Sequence, residues 1–357
     1  MYKRQAVGYR ALTANTTGHR NTATGTDALL SNTTGAYNSA FGQDAMGLNT
    51  TGANNTALGR ATLYTNSTGS ANVAIGYNAL NANQTANDNT GIGYRTLVAN
   101  TTGTKNVGVG CSALKASTTG DGNTALGWHA LGASTTASGG TAVGREALFS
   151  NTTGANNTAV GWGALYSNTT AHNNTAVGSN ALLSNTTGTN NCAFGHDALE
   201  TNTAGNNSAF GFEALKASST GGDNSSFGAH SLSTNTTGQY NTAVGQAALN
   251  ANSTGDNNTA CGQGALRYCT VGNNSAFGKS ALETNTTGTY NQAFGRQALA
   301  SATTANHNNA FGYQAMMDIT TGANNVAMGS HAMYEATEGD NNAVSYTHLT
   351  LPTKRIV

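Results

Sequence analysis

A glycine preceded by a small residue and an apolar one returns every 17 residues along almost the whole of this chain. It stands at Gly8, Gly25, Gly42 and onward to Gly161, Gly178 and Gly195, then continues through Gly211 and Gly262 to Gly329. Two intervals, 195 to 211 and 262 to 278, are shortened to 16. A fixed period of this length replaces the expectation of globular domains with that of a stack of equivalent units, each resting on its neighbours. Residues 6–343 therefore read as a single elongated repeat domain rather than as two or three compact bodies.

Each period predicts one short strand and one buried turn. The residue before the glycine is apolar in nearly every repeat, as at Ile75, Val160 and Phe294, with Thr24 the polar exception. The column before that is Ala, varied only to Gly91, Gly108 and Ser226, and is itself preceded in most repeats by Thr, Ser or Val, as at Thr158, Ser208 and Val73. Alternation led by β-branched residues is the period-two pattern of a strand. Four residues after the glycine every repeat has Leu or Met, from Leu12 to Met333, preceded by Ala except at Thr62, Thr96 and Ser231. Two large side chains per turn, each worth about 1.5–3 kcal/mol when buried, do not offset about 1–2 kcal/mol of backbone ordering per residue. One coil cannot stand alone, so stacking through backbone ladders must supply the rest.

The fold class expected is all-β, a parallel β-roll or β-solenoid of about twenty 17-residue coils. If the strand column fills the inside, the Leu column either joins it or faces outward as a stripe about 90 Å long at ~4.8 Å per coil. Such a stripe is too large an apolar patch for a monomer, and its burial between chains is the expected outcome.

Asn occupies the position four before the glycine in every full repeat except at Gly140; Asn21, Asn38, Asn55, Asn157, Asn241 and Asn325 are examples. Stacked at coil spacing, such side chains form a structural hydrogen-bonded ladder. The loop Asn151-Thr152-Thr153-Gly154 and its copies supply turn chemistry, since Asn and Gly tolerate positive φ and Thr hydroxyls satisfy nearby backbone. Ala86, Ala137, Ala171 and Ala305 replace the loop glycine, so positive φ is not obligatory there.

The segments Asn72-Val73-Ala74-Ile75-Gly76 and Asn324-Asn325-Val326-Ala327-Met328-Gly329 resemble the NSVAIG head repeat of the YadA-like trimeric autotransporter adhesins. The resemblance recurs in each coil from Ala6 to Val344, with Thr in most coils where the family prefers Val and with longer repeats. It implies a left-handed roll, three chains side by side, and a non-catalytic fibre segment that attaches to host or abiotic surfaces from the cell exterior. The longer repeat also resembles those of bacteriophage tail fibres and of fibre-like proteins ending in a self-cleaving chaperone domain. A tail-fibre shaft is thus an alternative. A third reading, ice binding, is suggested by the paired Thr on a repeating lattice, although Ala204, Val271 and Glu338 interrupt the row.

No catalytic constellation is expected. His129, His230 and His331 share the position two after the glycine with Asp27, Asp44, Glu146, Asp197 and Glu213, but no nucleophile, histidine and carboxylate recur as a trio. Cys111, Cys192, Cys261 and Cys269 lack metal-site spacing, so no cofactor or metal is expected. The position directly after the glycine carries exposed aromatics instead. Tyr77, Tyr94, Trp128, Trp162, Phe212 and Tyr313 are candidate anchors for a glycan or protein surface, or else padding between coils.

The two ends break the pattern. Tyr2-Lys3-Arg4-Gln5 and Val344-Ser345-Tyr346-Thr347 are encoded by a sequence and its reverse complement shifted by one base, and both match the transposase-end adapter used in sequencing libraries. Residues 1–5 and 344–357 are accordingly expected to be translated adapter around a frame cut within a repeat. Lys3, Arg4, Lys354 and Arg355 supply four of the 15 basic residues, leaving 11 against 15 acidic in the repeat region. That balance disfavours a nucleic-acid-binding face, and no apolar run is long enough to cross a membrane as a helix.

Overall fold

A computed structural model describes residues 4–345. The chain divides into two units, Met1–Asn191 and Cys192–Val357. Among the described residues the first holds eleven strands, from Arg4–Val7 to Thr175–Val177, and the second holds ten, from Cys192–Phe194 to Ala343–Ser345. Within each unit the strands pair in parallel with the coils before and after, in the register of the sequence period. Thr158, Ala159 and Val160 lie over Thr141, Ala142 and Val143 and under Thr175, Ala176 and Val177. The shortened coil ending at Gly278 keeps this register, with Thr259 beside Ser275 and Cys261 beside Phe277. The all-β solenoid of about twenty coils expected from the period is the fold observed, with no helix among the described residues.

Residues 4 and 5 belong to the first strand, opposite Asn21 and Thr22, and Val344 and Ser345 to the last, opposite Ala327 and Met328, through main-chain pairing that accepts any side chain. Residues 1–3 and 346–357, where the rest of the adapter reading falls, lie outside the described residues.

Coils are joined all the way round and not only along the strand. In one coil Glu146 N–H donates to Trp128 O of the coil before at 2.9 Å, while Leu148 and Thr152 donate to Ala164 O and Thr169 O of the coil after, each at 2.9 Å. Parallel stacking therefore satisfies backbone groups in the turns as well as in the strands. Stacked phenyl rings on consecutive coils give the rise: Phe277 to Phe294 is 4.8 Å and Phe294 to Phe311 is 5.0 Å.

The expected assignment of inside and outside is reversed by the structure. Ala159 and its equivalents are the strand residues that point inward, fully buried, while Thr158 and Val160 flank them on the outer face. The large interior side chain comes from the turn instead. Leu165 is fully buried within its own chain, as are its equivalents from Leu29 to Met316. The Leu column thus forms no outward stripe between chains. The physical reason is cross-section: a 17-residue loop encloses room for one Leu, the Ala before it, one strand Ala and the Asn side chains. A Val or Phe on the inner strand face would overfill it.

The turn that delivers this Leu is built from alternate left-handed residues. Gly161, Gly163 and Leu165 have φ of +133°, +65° and +52°. The Leu or Met of this column is left-handed in each coil from Leu12 to Met333. Left-handed φ costs a non-glycine residue roughly 1–2 kcal/mol, and full burial of Leu returns about 1.5–3 kcal/mol, so the inward pose wins. Gly161 has no such option. Its φ is outside what an L side chain adopts, and an added Cβ would lie 2.5 Å from Gly178 O of the next coil. The period is anchored on glycine for both reasons.

Sequence exceptions inside the core compensate one another. A Cβ on Gly108 would lie 2.6 Å from the Thr96 methyl, so Thr96 occupies the space that the strand Ala fills elsewhere. Ser226 and Ser231 replace facing Ala residues in one coil, and their hydroxyls meet at 2.5 Å, with Ser231 also donating to Gly228 O. The two Ser hydroxyls of this coil thus enter the interior with partners, which offsets the cost of burying them.

Candidate surface-binding site

Two Asn rows fix the coils on which any surface row is displayed. In the row expected from the sequence, the side chain ties the coil to the one above by two bonds. Asn21 Oδ1 accepts from Asn38 N–H at 2.9 Å, and Asn21 Nδ2 donates to Gly35 O at 2.7 Å. Asn38, Asn55, Asn157, Asn241 and Asn325 repeat the arrangement. These links run mainly from side chain to main chain. The row of side chains bonded to one another is the Asn of the NTTG loop: Asn49 Nδ2 reaches Asn32 Oδ1 at 2.8 Å and Asn66 Nδ2 reaches Asn49 Oδ1 at 2.7 Å. Each also donates to the loop carbonyl of its own coil, as Asn49 does to Gly52 O at 3.0 Å. Composition alone suggests that this Asn forms the turn through positive φ. Positive φ falls elsewhere, on the residue before the other Asn, as at Asn54, Asn156 and Asn173. The NTTG glycines are likewise outside the positive region, in line with the Ala found at four of these positions.

This second row is interrupted where Ser117 and Ser134 replace Asn. The hydroxyls of both, and Asn100 Oδ1 directly below them, are buried without a hydrogen-bond partner. The first Thr of each loop pair is also held by the stack, as where Thr152 Oγ1 donates to Thr169 O at 3.0 Å. Only the second Thr projects outward.

On this frame the residue directly after the anchor glycine faces solvent, and all six aromatic candidates are between 40 and 52% exposed. The structure does not gather them into one patch. Tyr77 and Tyr94 stack on each other at 5.6 Å, with the Arg60 guanidinium over Tyr77. Trp128 packs against the His129 ring at 4.1 Å and beneath the Arg145 guanidinium at 4.9 Å. In the second unit Phe212 lies between His196 and His230, and Tyr313 has His331 and Arg296 against it. Five of the six are therefore internal steps of a side-chain ladder. Trp162 differs: among the described residues no ring or guanidinium packs against it, although it is the most exposed of the six. Arg145, on the adjacent coil, leans the other way onto Trp128.

No family model matches the chain, and neither does any curated protein.

Charged side chains on the same face pair locally. Arg10 and Asp27 make a two-pronged bridge at 2.7 Å across adjacent coils, which holds the Asp27 carboxyl below the usual carboxylate range. Lys216 is ringed by Asp197, Glu213 and Glu200 at 3.1, 2.9 and 3.5 Å, and the two closest carboxylates raise its pKa. Arg10 and Asp27 balance one another, whereas Lys216 faces three carboxylates, and ion pairs at such partly exposed positions contribute little.

Proposed function

We propose that this chain is a non-catalytic structural and adhesive segment of an extracellular fibre that assembles as a homotrimer. The observation that carries the reading is the outward strand column. From Phe41 to Val177 the first unit ends nine consecutive strands in Phe, Leu, Ile or Val, none of them buried. Phe194, Phe210 and Phe227 continue the pattern in the second unit as a stacked series at 4.9 Å. Nine coils at about 4.8 Å make an apolar stripe roughly 40 Å long, beyond what a soluble monomer ordinarily leaves to water. With the Leu column inside, the apolar surface available for association is the strand face. Burying three such stripes together gives each copy the same contact and closes the assembly.

Sedimentation equilibrium tests this. The native chain is expected at three times its monomer mass, and the substitutions Val143→Glu, Val160→Glu and Val177→Glu together are expected to return it to monomer with its strand content intact. A monomeric native chain would refute the assembly.

One observation favours ice binding as a second reading. The three interruptions of the Thr row, Ala204, Val271 and Glu338, all lie in the second unit. In the first, the outward Thr is present and exposed in eleven successive loops from Thr17 to Thr187. Thermal hysteresis in the native chain, lost on replacing these Thr with Asn, would establish that reading, and its absence would remove it.

A further inference from the structure

We infer that the notch above Gly163 is a binding site for a neutral sugar ring, with Trp162 as its stacking platform. The inference rests on the attachment reading and names the ligand class for it.

The notch arises from a missing side chain. The second position after the anchor glycine carries Arg, Asp, Glu, Asn, His or another side chain in every coil but two, and the two exceptions are Gly163 and Gly264. A surface concavity opens at each. At Gly264 the walls are Gln263, Arg267, Lys279 and Glu283, all polar or charged. At Gly163 the concavity has a volume of about 430 Å³ and is walled by Trp162, Tyr166 and Leu183, with Glu146, Asn180 and Ser167 on the rim. Only the second has an aromatic platform.

Its walls are fixed by the stack. Asn180 N–H donates to Trp162 O at 2.9 Å, Tyr166 N–H donates to Gly163 O at 3.1 Å, and the Tyr166 ring is stacked on Phe149 at 5.3 Å. The Trp162 carbonyl is tied to the coil above, and among the described residues no ring covers the faces of its indole. An exposed aromatic with two rotatable side-chain bonds offers contact area at small entropic cost.

The chemistry of the rim selects the class. The electron-rich face of an indole attracts the weakly positive C–H bonds on one face of a pyranose, while the ring's hydroxyls need donors and acceptors at the edge. Glu146 supplies an acceptor and Ser167 a hydroxyl that both donates and accepts. The one charged group lining the notch, Glu146, has the Arg145 guanidinium 3.5 Å away, so the site presents no net charge for an ionic ligand. A volume of this size admits one or two sugar rings.

The chain has two tryptophans, which makes the test direct. Trp128→Phe leaves Trp162 as the only indole reporter. Titration of that variant with cellotriose, chitotriose and galactotriose is expected to give a saturable change in emission with at least one of them. Gly163→Asn fills the notch without straining the backbone, because Asn78 and Asn180 hold the same position at φ of +55° and +56°. It is expected to weaken that response at least tenfold while leaving strand content and assembly unchanged. No saturable response to any of the three, or a response that persists in Gly163→Asn, overturns the inference. Adherence of the intact chain to cells, read in parallel, separates the two claims: adherence with a silent notch overturns the sugar site alone, whereas a notch-dependent response without adherence upholds the site and removes the attachment reading.

Discussion

Replacing Ser117 and Ser134 with Asn should stabilise the first unit, and the gain can be worked out bond by bond. At present Asn100 Oδ1, Ser117 Oγ and Ser134 Oγ are buried without partners. Asn151, the next member above the break, donates to Gly154 O of its own coil. With Asn at 117 and 134, three links rejoin the row: 117 to Asn100, 134 to 117, and Asn151 to 134. A buried hydrogen bond nets about 0.5–1.5 kcal/mol, so three contribute roughly 1.5–4.5 kcal/mol, from which the ordering of two Asn side chains subtracts a part. Space is not limiting. The coil of Asn83 has the same Ala after its loop as the coil of Ser134, and Asn83 Nδ2 reaches Ala86 O at 3.1 Å without displacing Leu80. Because a solenoid gains stability locally, amide exchange is the appropriate assay. The amides of Leu114 and Leu131 donate to Ala130 O and Ala147 O, each at 3.0 Å, and report on the two repaired coils. Their protection should rise, by up to roughly a thousandfold, since 1.4 kcal/mol is a factor of ten and side-chain ordering removes part of the gross gain, while Leu29 stays unchanged. Protection that stays level or falls at Leu114 and Leu131 would refute the claim that these Asn rows hold the coils together.

Two other perturbations probe the interior. Gly108→Ala drives a Cβ to within 2.6 Å of the Thr96 methyl and should destabilise by about 1–3 kcal/mol; adding Thr96→Ala recreates the Ala pair of other coils, and a double-mutant cycle by urea unfolding should recover most of the loss. Burial pushes the Cys269 thiol up, whereas Cys261 is exposed on the outer strand face. A thiol reagent at mildly alkaline pH should therefore label Cys261 within minutes and Cys269 only after denaturation, and equal rates would contradict the packing of that coil.

What the sequence carried and what it concealed follow from the same repeat. A period of 17 fixes which residues stack, so the pairing of Thr158 with Thr175 and the row through Asn21, Asn38 and Asn55 were legible before any coordinates. Period alone does not say which face is inside. In an alternating strand the larger residue ordinarily turns inward, and that rule fails at Val160 because Leu165, delivered by a left-handed turn, has already filled the section. The doublets such as Asn156-Asn157 held an unread signal: one Asn takes positive φ and the next bridges the coils. The isolation of Trp162 was hidden for another reason, since it depends on which neighbour the Arg145 side chain leans toward.

Every described bond between coils joins nearest neighbours, and the 16-residue coil ending at Gly278 shows that a lost residue leaves the strand pairing undisturbed. Genetic gain or loss of whole repeats can therefore change length without a refit elsewhere, because a newly inserted coil meets the same donors and acceptors that its predecessor met. A position such as Gly163 is under no such collective constraint. On the attachment role proposed above, copy number and recognition would then drift separately, and a lineage could change the number of coils without altering what the notch grips.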